Sequence, residues 1–123
     1  MAAQKTVLVV DDDPNVLSAL TALLDALSPF AVLSAAGFDE ALKILASQAV
    51  DVLLVDAVLP LPHSGEQLAE HAQARNAGLA VVLMSGDWRS DLASQPPGTV
   101  FLPKPFGLEQ VLEAMEHALQ RTV

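Results

Sequence analysis

Carboxylates, a hydroxyl and an ammonium group stand at the ends of four short apolar runs in this chain. Val7-Leu8-Val9-Val10 closes on Asp11-Asp12-Asp13, and Val52-Leu53-Leu54-Val55 closes on Asp56. Ala80-Val81-Val82-Leu83-Met84 closes on Ser85, and Val100-Phe101-Leu102 on Pro103-Lys104-Pro105. Three carboxylates gathered in one place repel: two unit charges about 4 Å apart cost roughly 4 kcal/mol at an effective dielectric of about 20. Protonation, a lysine or a metal must offset that repulsion. Magnesium suits Asp11, Asp12 and Asp56, because it takes oxygen ligands, keeps several waters and bridges carboxylates to phosphates; manganese is the expected substitute. Asp56 can then act as a nucleophile toward phosphorus, giving an aspartyl phosphate. The metal and Lys104 would neutralise charge on the phosphoryl oxygens, and the Ser85 hydroxyl would bond one of them. Asp13 reads as a helix cap rather than a ligand. Prolines flank Lys104 on both sides, and one X-Pro bond there is expected to be cis.

The elements that must hold these groups follow from hydrophobic pattern. Short Val/Leu-rich runs closed by polar residues read as buried parallel strands, over Thr6–Val10, Phe30–Leu33, Val52–Val55, Leu79–Met84 and Thr99–Leu102. Between them the apolar spacing turns helical. Asp13-Pro14 opens a first helix carrying Val16, Leu17, Leu20, Leu24 and Leu27 on one face, ended by Ser28-Pro29. A second helix runs from about Gly37 to Ser47, with Phe38, Ala41, Leu42 and Leu45 inward. Ser64 and Gln67 fit a capping box opening a third helix that ends near Gly78. Trp88–Ser94 allows a short fourth helix before Pro96-Pro97-Gly98. Leu108, Val111, Leu112, Met115 and Leu119 define a last helix to about Gln120. Alternation of strand and helix predicts an α/β fold, a parallel sheet covered on both faces in three layers. Chemistry in such sheets collects at the carboxyl ends of the strands, where all four polar clusters fall.

Bulk properties narrow the function. The 123 residues, 52% of them hydrophobic, suit a single domain over 1–123 with its own core and no output domain. No apolar stretch approaches a bilayer span, so no membrane role is expected. With no cysteine and no signal peptide-like start, the reading favours the cytoplasm. A net charge of −9 disfavours direct nucleic-acid binding.

Taken in order, VLVVDDDP, LLVDAVLP, VVLMSG and FLPKPF resemble the response regulator receiver domains of two-component signalling, over about Thr6 to Leu119, and are similar to single-domain regulators and receivers of hybrid histidine kinases. The resemblance implies a five-stranded flavodoxin-like sheet of order 2-1-3-4-5. It implies a phosphoryl group taken from a histidine kinase or a histidine phosphotransfer protein, bound magnesium, and a downstream protein partner not identified by the sequence. Carried over by position, Asp56 is the phosphoacceptor. Asp11 and Asp12 hold the metal, Asp12 being the more direct ligand, and the Val58 backbone carbonyl adds a further one. Ser85 and Lys104 contact the phosphoryl group, and Ser85 and Phe101 form the switch.

The chain departs from the family pattern in two places. Leu61-Pro62-His63-Ser64 puts four residues between Pro60 and Gly65, where three are usual; Pro62 stiffens this loop, and His63 reads as solvated rather than as a ligand. The stretch between Ser85 and Lys104 is about three residues short, so the fourth helix is expected to be short or irregular. The usual dimer face is altered with it, leaving a monomer or weak dimer, and Trp88 reads as a patch on the core or a partner anchor. Val58 and Asp87 flank the site and would tune phosphate lifetime; Val58 cannot orient an attacking water, which predicts slow autodephosphorylation. The rival readings are a docking module of the same fold that is never phosphorylated, and an aspartyl-phosphate hydrolase. The hydrolase pattern DxDx[TV] fails at Asn15.

Overall fold

The computed structural model describes residues 4–60, 62–86 and 99–121. Nine elements alternate along them: β1 (Thr6–Val10), α1 (Pro14–Leu27), β2 (Ala31–Ala35), α2 (Phe38–Ser47), β3 (Val52–Asp56), α3 (Gly65–Arg75), β4 (Ala80–Ser85), β5 (Thr99–Pro103) and α4 (Leu108–Arg121). The strands form one parallel sheet in the order β2-β1-β3-β4-β5. This is the predicted order, with β3 at the centre.

Period-two alternation along the strands splits the core into two layers. Leu8, Val10, Leu53, Val55, Val81 and Leu83 face α2 and α3, where they meet Phe38, Ala41, Leu68, Ala69 and Ala72. Val7, Val9, Leu54, Val82 and Met84 face α1 and α4, against Leu20, Leu24, Val111 and Met115. Both faces of the sheet are therefore dry, and β3 and β4 are buried throughout.

The helix starts follow local chemistry. Asp13 Oδ1 accepts from the Asn15 N–H at 2.9 Å, with Pro14 at the first helical position. Ser64 and Gln67 close the expected capping box: Gln67 N–H donates to Ser64 Oγ at 3.2 Å, and Ser64 N–H to Gln67 Oε1 at 3.0 Å.

Two boundaries differ by two or more residues from the sequence reading, and one residue expected on a buried face is exposed. β2 lies at Ala31–Ala35, not Phe30–Leu33, because its register is set by β1, which pairs Thr6 with Ala31 and Val10 with Ala35. Pairing carries the strand past the polar Ser34, which lies opposite Val9. α3 stops at Arg75 rather than near Gly78, because the Asn76 side chain accepts from the Gly78 N–H and its carbonyl from the Leu79 N–H, turning the chain into β4. On α1, Leu20 and Leu24 are buried, but Leu27 is 62% exposed at the helix end. The predicted fourth helix, with Trp88 and Asp87, lies outside the described residues.

Candidate functional site

All the predicted chemical groups within the described residues sit at the carboxyl edge of the sheet. Asp11 and Asp12 follow β1, Asp56 is the last residue of β3, Ser85 is the last of β4, and Lys104 follows β5. Ladder bonds continue past the strand ends and fix these positions. Asp11 N–H donates to the Ala35 carbonyl at 3.3 Å, Ala57 N–H to that of Met84 at 2.8 Å, and Lys104 N–H to that of Ser85 at 2.8 Å. The Lys104–Pro105 bond is cis, as one bond in this stretch was expected to be.

Asp56 is buried and held at both oxygens. Its Oδ1 accepts from the Val58 N–H at 3.0 Å, and its Oδ2 pairs with Lys104 Nζ at 2.9 Å. Lys104 keeps a third of its side chain exposed, so an incoming anion can reach it. Asp11, also buried, spends Oδ1 on the Asp13 N–H at 2.9 Å. Asp12 is exposed at the mouth. One oxygen from each of Asp11, Asp12 and Asp56 falls within 4.8 Å of the others.

This grouping has an electrostatic cost. Burial raises the Asp11 pKa above the ordinary aspartate range, opposed by the Asp13 amide, raised further by Asp56, opposed by Lys104 and raised again by Asp12. Among the described residues, Asp11 Oδ2 is a buried oxygen without a hydrogen-bond partner, as is Thr99 Oγ1. Buried carboxylate oxygens are ordinarily paired. An orphaned oxygen on a member of an all-oxygen cluster fits a hard divalent cation of the magnesium or manganese kind.

The remaining expected residues are placed as follows. Ser85 is buried at the end of β4. Phe101 is half-buried in β5, opposite Leu83 in register, and so is not a fully enclosed core ring. Val58 is 73% exposed at the lip of the site. His63 departs from expectation: it is half-buried, its ring stacked on Phe38 with centroids 3.9 Å apart and planes at 11°. An apolar face was available at the start of α2, so the imidazole covers it instead of pointing to water.

Gly65 had served only as a spacing marker, yet it is part of the site's frame. A Cβ built there would lie 2.0 Å from the Asp56 carbonyl oxygen and 2.9 Å from Ala57 Cα. Its N–H donates to the Ala57 carbonyl at 3.0 Å. The first turn of α3 thus rests directly on the backbone of Asp56. A glycine at the first position of a helix, a poor helix former, was the available signal. Gly65→Ala is expected to lower stability by about 1–3 kcal/mol, the range for overpacking a filled site. Gly37→Ala, where a Cβ meets nothing within 4 Å, should cost less. Urea midpoints compare the two, and equal midpoints would contradict the close approach.

Comparison with known proteins agrees with this geometry. The family described as response regulator receiver domain matches residues 7–116. A putative transcriptional regulator of Haloferax volcanii is 33% identical over 121 residues, covering 98% of this chain and 20% of that protein. The chain spans a fifth to about half of the length of the curated relatives it matches. A response regulator receiver protein from Sinorhizobium medicae superposes with a TM-score of 0.87 at 25% identity, with 98% of each chain covered. The response regulator protein TrrA from Thermotoga maritima, solved in complex with Mg2+ and BeF, gives a TM-score of 0.79 at 27% identity, covering 94% of this chain and all of that one.

Proposed function

Since the chain belongs to the response regulator receiver domain family of two-component signalling, we propose that it takes a phosphoryl group from a histidine kinase or histidine phosphotransfer protein onto Asp56 and thereby changes its binding to a downstream protein. The observation that carries this reading is the pair of opposed demands at Asp56: a buried carboxylate held by Lys104 at 2.9 Å, inside an acid cluster with an orphaned Asp11 oxygen.

Each residue has a task in that reading. Asp11, Asp12, Asp56 and the Val58 carbonyl would hold Mg2+, with Mn2+ as substitute. Bound there, the ion supplies positive charge for the phosphoryl oxygens as they approach. The Val58 N–H on Oδ1 orients the Asp56 carboxylate. An Asp56 oxygen attacks phosphorus, the new O–P bond forms, and the P–N bond to the donor histidine breaks with the electron pair leaving on the imidazole nitrogen. Lys104 shifts from Oδ2 to a phosphoryl oxygen, and the Ser85 hydroxyl bonds another. Ser85 moving toward the phosphate leaves space that the half-buried Phe101 ring turns to fill, which carries the state to the surface. The product is a signal rather than a released metabolite, and slow self-catalysed loss of the phosphate is the only turnover. The partner surface is expected to be protein in the cytoplasm; a net charge of −9 opposes contact with nucleic acid.

The test is a small-molecule donor. With Mg2+ and acetyl phosphate, intact mass should rise by one phosphoryl group, on an adduct that is acid-stable and base-labile. EDTA present from the start should prevent the adduct from forming, and excess Mn2+ should restore its formation. No adduct with acetyl phosphate, phosphoramidate or a phosphorylated kinase would favour the docking module, and steady release of phosphate from many organic esters would favour the hydrolase.

A further inference from the structure

One contact ties the lengthened connection after β3 to a different helix. His63 precedes Ser64, the N-cap of α3, and Gly65, which rests on the Asp56 backbone. Its imidazole lies flat on Phe38, at 3.9 Å between centroids and 11° between planes. Phe38 opens α2, is buried, and meets His71 of α3 edge-on at 5.7 Å and 79°. The stack therefore clamps the end of the connection between the first turn of α2 and the face of α3. Val58, whose N–H bonds Asp56 Oδ1, stands at the other end of that connection. An extra residue lengthens a loop and loosens what it carries; an aromatic stack restores a fixed anchor.

We propose that His63 is a positioning residue for the phosphorylation site: stacked on Phe38, it holds the lengthened connection so that Val58 presents its carbonyl to the metal and its N–H to Asp56. The inference rests on the receiver reading above and assigns a role to one residue of the longer loop. Stacking, not charge or hydrogen bonding, does the positioning. His63→Phe preserves it and His63→Ala removes it.

Amide hydrogen exchange of the metal-free protein reads the positioning without any phosphoryl chemistry. The Val58 and Gly65 amides should exchange about two- to tenfold faster in His63→Ala, the worth of one aromatic pair, while His63→Phe stays within about twofold of the wild type. Amides in β1 and β3 should be unchanged. The Mg2+ concentration giving half the maximal phosphorylation rate by acetyl phosphate should rise by a similar factor in His63→Ala, with the rate at saturating Mg2+ unchanged. Phe38→Leu should reproduce both effects, and the double variant Phe38→Leu with His63→Ala should add nothing further. The proposal is overturned if His63→Ala leaves the Val58 and Gly65 amides unaltered, if His63→Phe is as impaired as His63→Ala, or if all amides accelerate equally. Should the wild type take neither Mg2+ nor phosphate, the receiver reading fails, and the exchange measurement still decides whether His63 positions Val58.

Discussion

Asp56→Asn should abolish the phosphorylated species while leaving the fold intact. The carboxylate stands at the carboxyl end of the central strand and is held at both oxygens, by the Val58 N–H at 3.0 Å and by Lys104 at 2.9 Å. An amide keeps the shape and one acceptor oxygen, so the Val58 bond survives. It carries no charge to attack phosphorus, and the adduct with acetyl phosphate should fall from near-complete to undetectable. Stability should move by no more than about 1 kcal/mol, because the pair lost is one-third exposed on the lysine side. Relief of repulsion with Asp11 acts in the opposite direction. Intact mass reads the first effect and the thermal midpoint the second. An adduct persisting at the wild-type level would move the acceptor to Asp11 or Asp12. A collapse of the fold would make Asp56 a structural residue and remove the case for the site.

What could be read in advance divides along physical lines. Strands and helices were legible because burial imposes a period, and Thr6–Val10 is recovered to the residue. The four strand-end clusters were legible because parallel strands all deliver their carboxyl ends to one edge, whatever their order. Limits appeared where a partner distant in sequence decides. β1 sets the extent of β2 and draws Ser34 into the strand. Asn76 ends α3 by bonding forward to Gly78 and Leu79, which overrides the helical pattern before it. The stack of His63 on Phe38 joins residues of different elements and leaves no trace in either local sequence. Gly65 lies between these cases. Its type hinted at close packing, but the atom it packs on, the Asp56 carbonyl oxygen, is supplied by the fold.

Asp11→Asn should separate stability from function in opposite directions. Oδ1 of Asp11 is satisfied by the Asp13 N–H, whereas the buried Oδ2 has no partner, and the residue is grouped with two other carboxylates. An asparagine keeps the accepted bond and places an NH2 donor where the orphaned oxygen was, next to carboxylates that can accept from it. The metal-free variant should therefore melt higher than the metal-free wild type. With magnesium the order reverses. At a concentration about tenfold above the dissociation constant, the wild type should gain about 1.4 kcal/mol, and Asp11→Asn should gain close to none because the cation has lost a buried anionic ligand. Phosphorylation by acetyl phosphate should fall with it. The pH dependence follows from the same residue. Burial, with Asp56 and Asp12 adding to it, raises the folded-state pKa of Asp11 above its unfolded value. Its contribution to metal-free stability is thus complete below the unfolded pKa and is lost as pH rises through the folded one. Magnesium needs the ionised carboxylate and recovers that loss, so the gain in thermal midpoint on adding Mg2+ should grow as pH rises through and beyond the carboxylate range. A gain that is flat with pH, or a metal-free variant that melts below the wild type, would mean that the strain at Asp11 is offset by the protein itself and not by a cation.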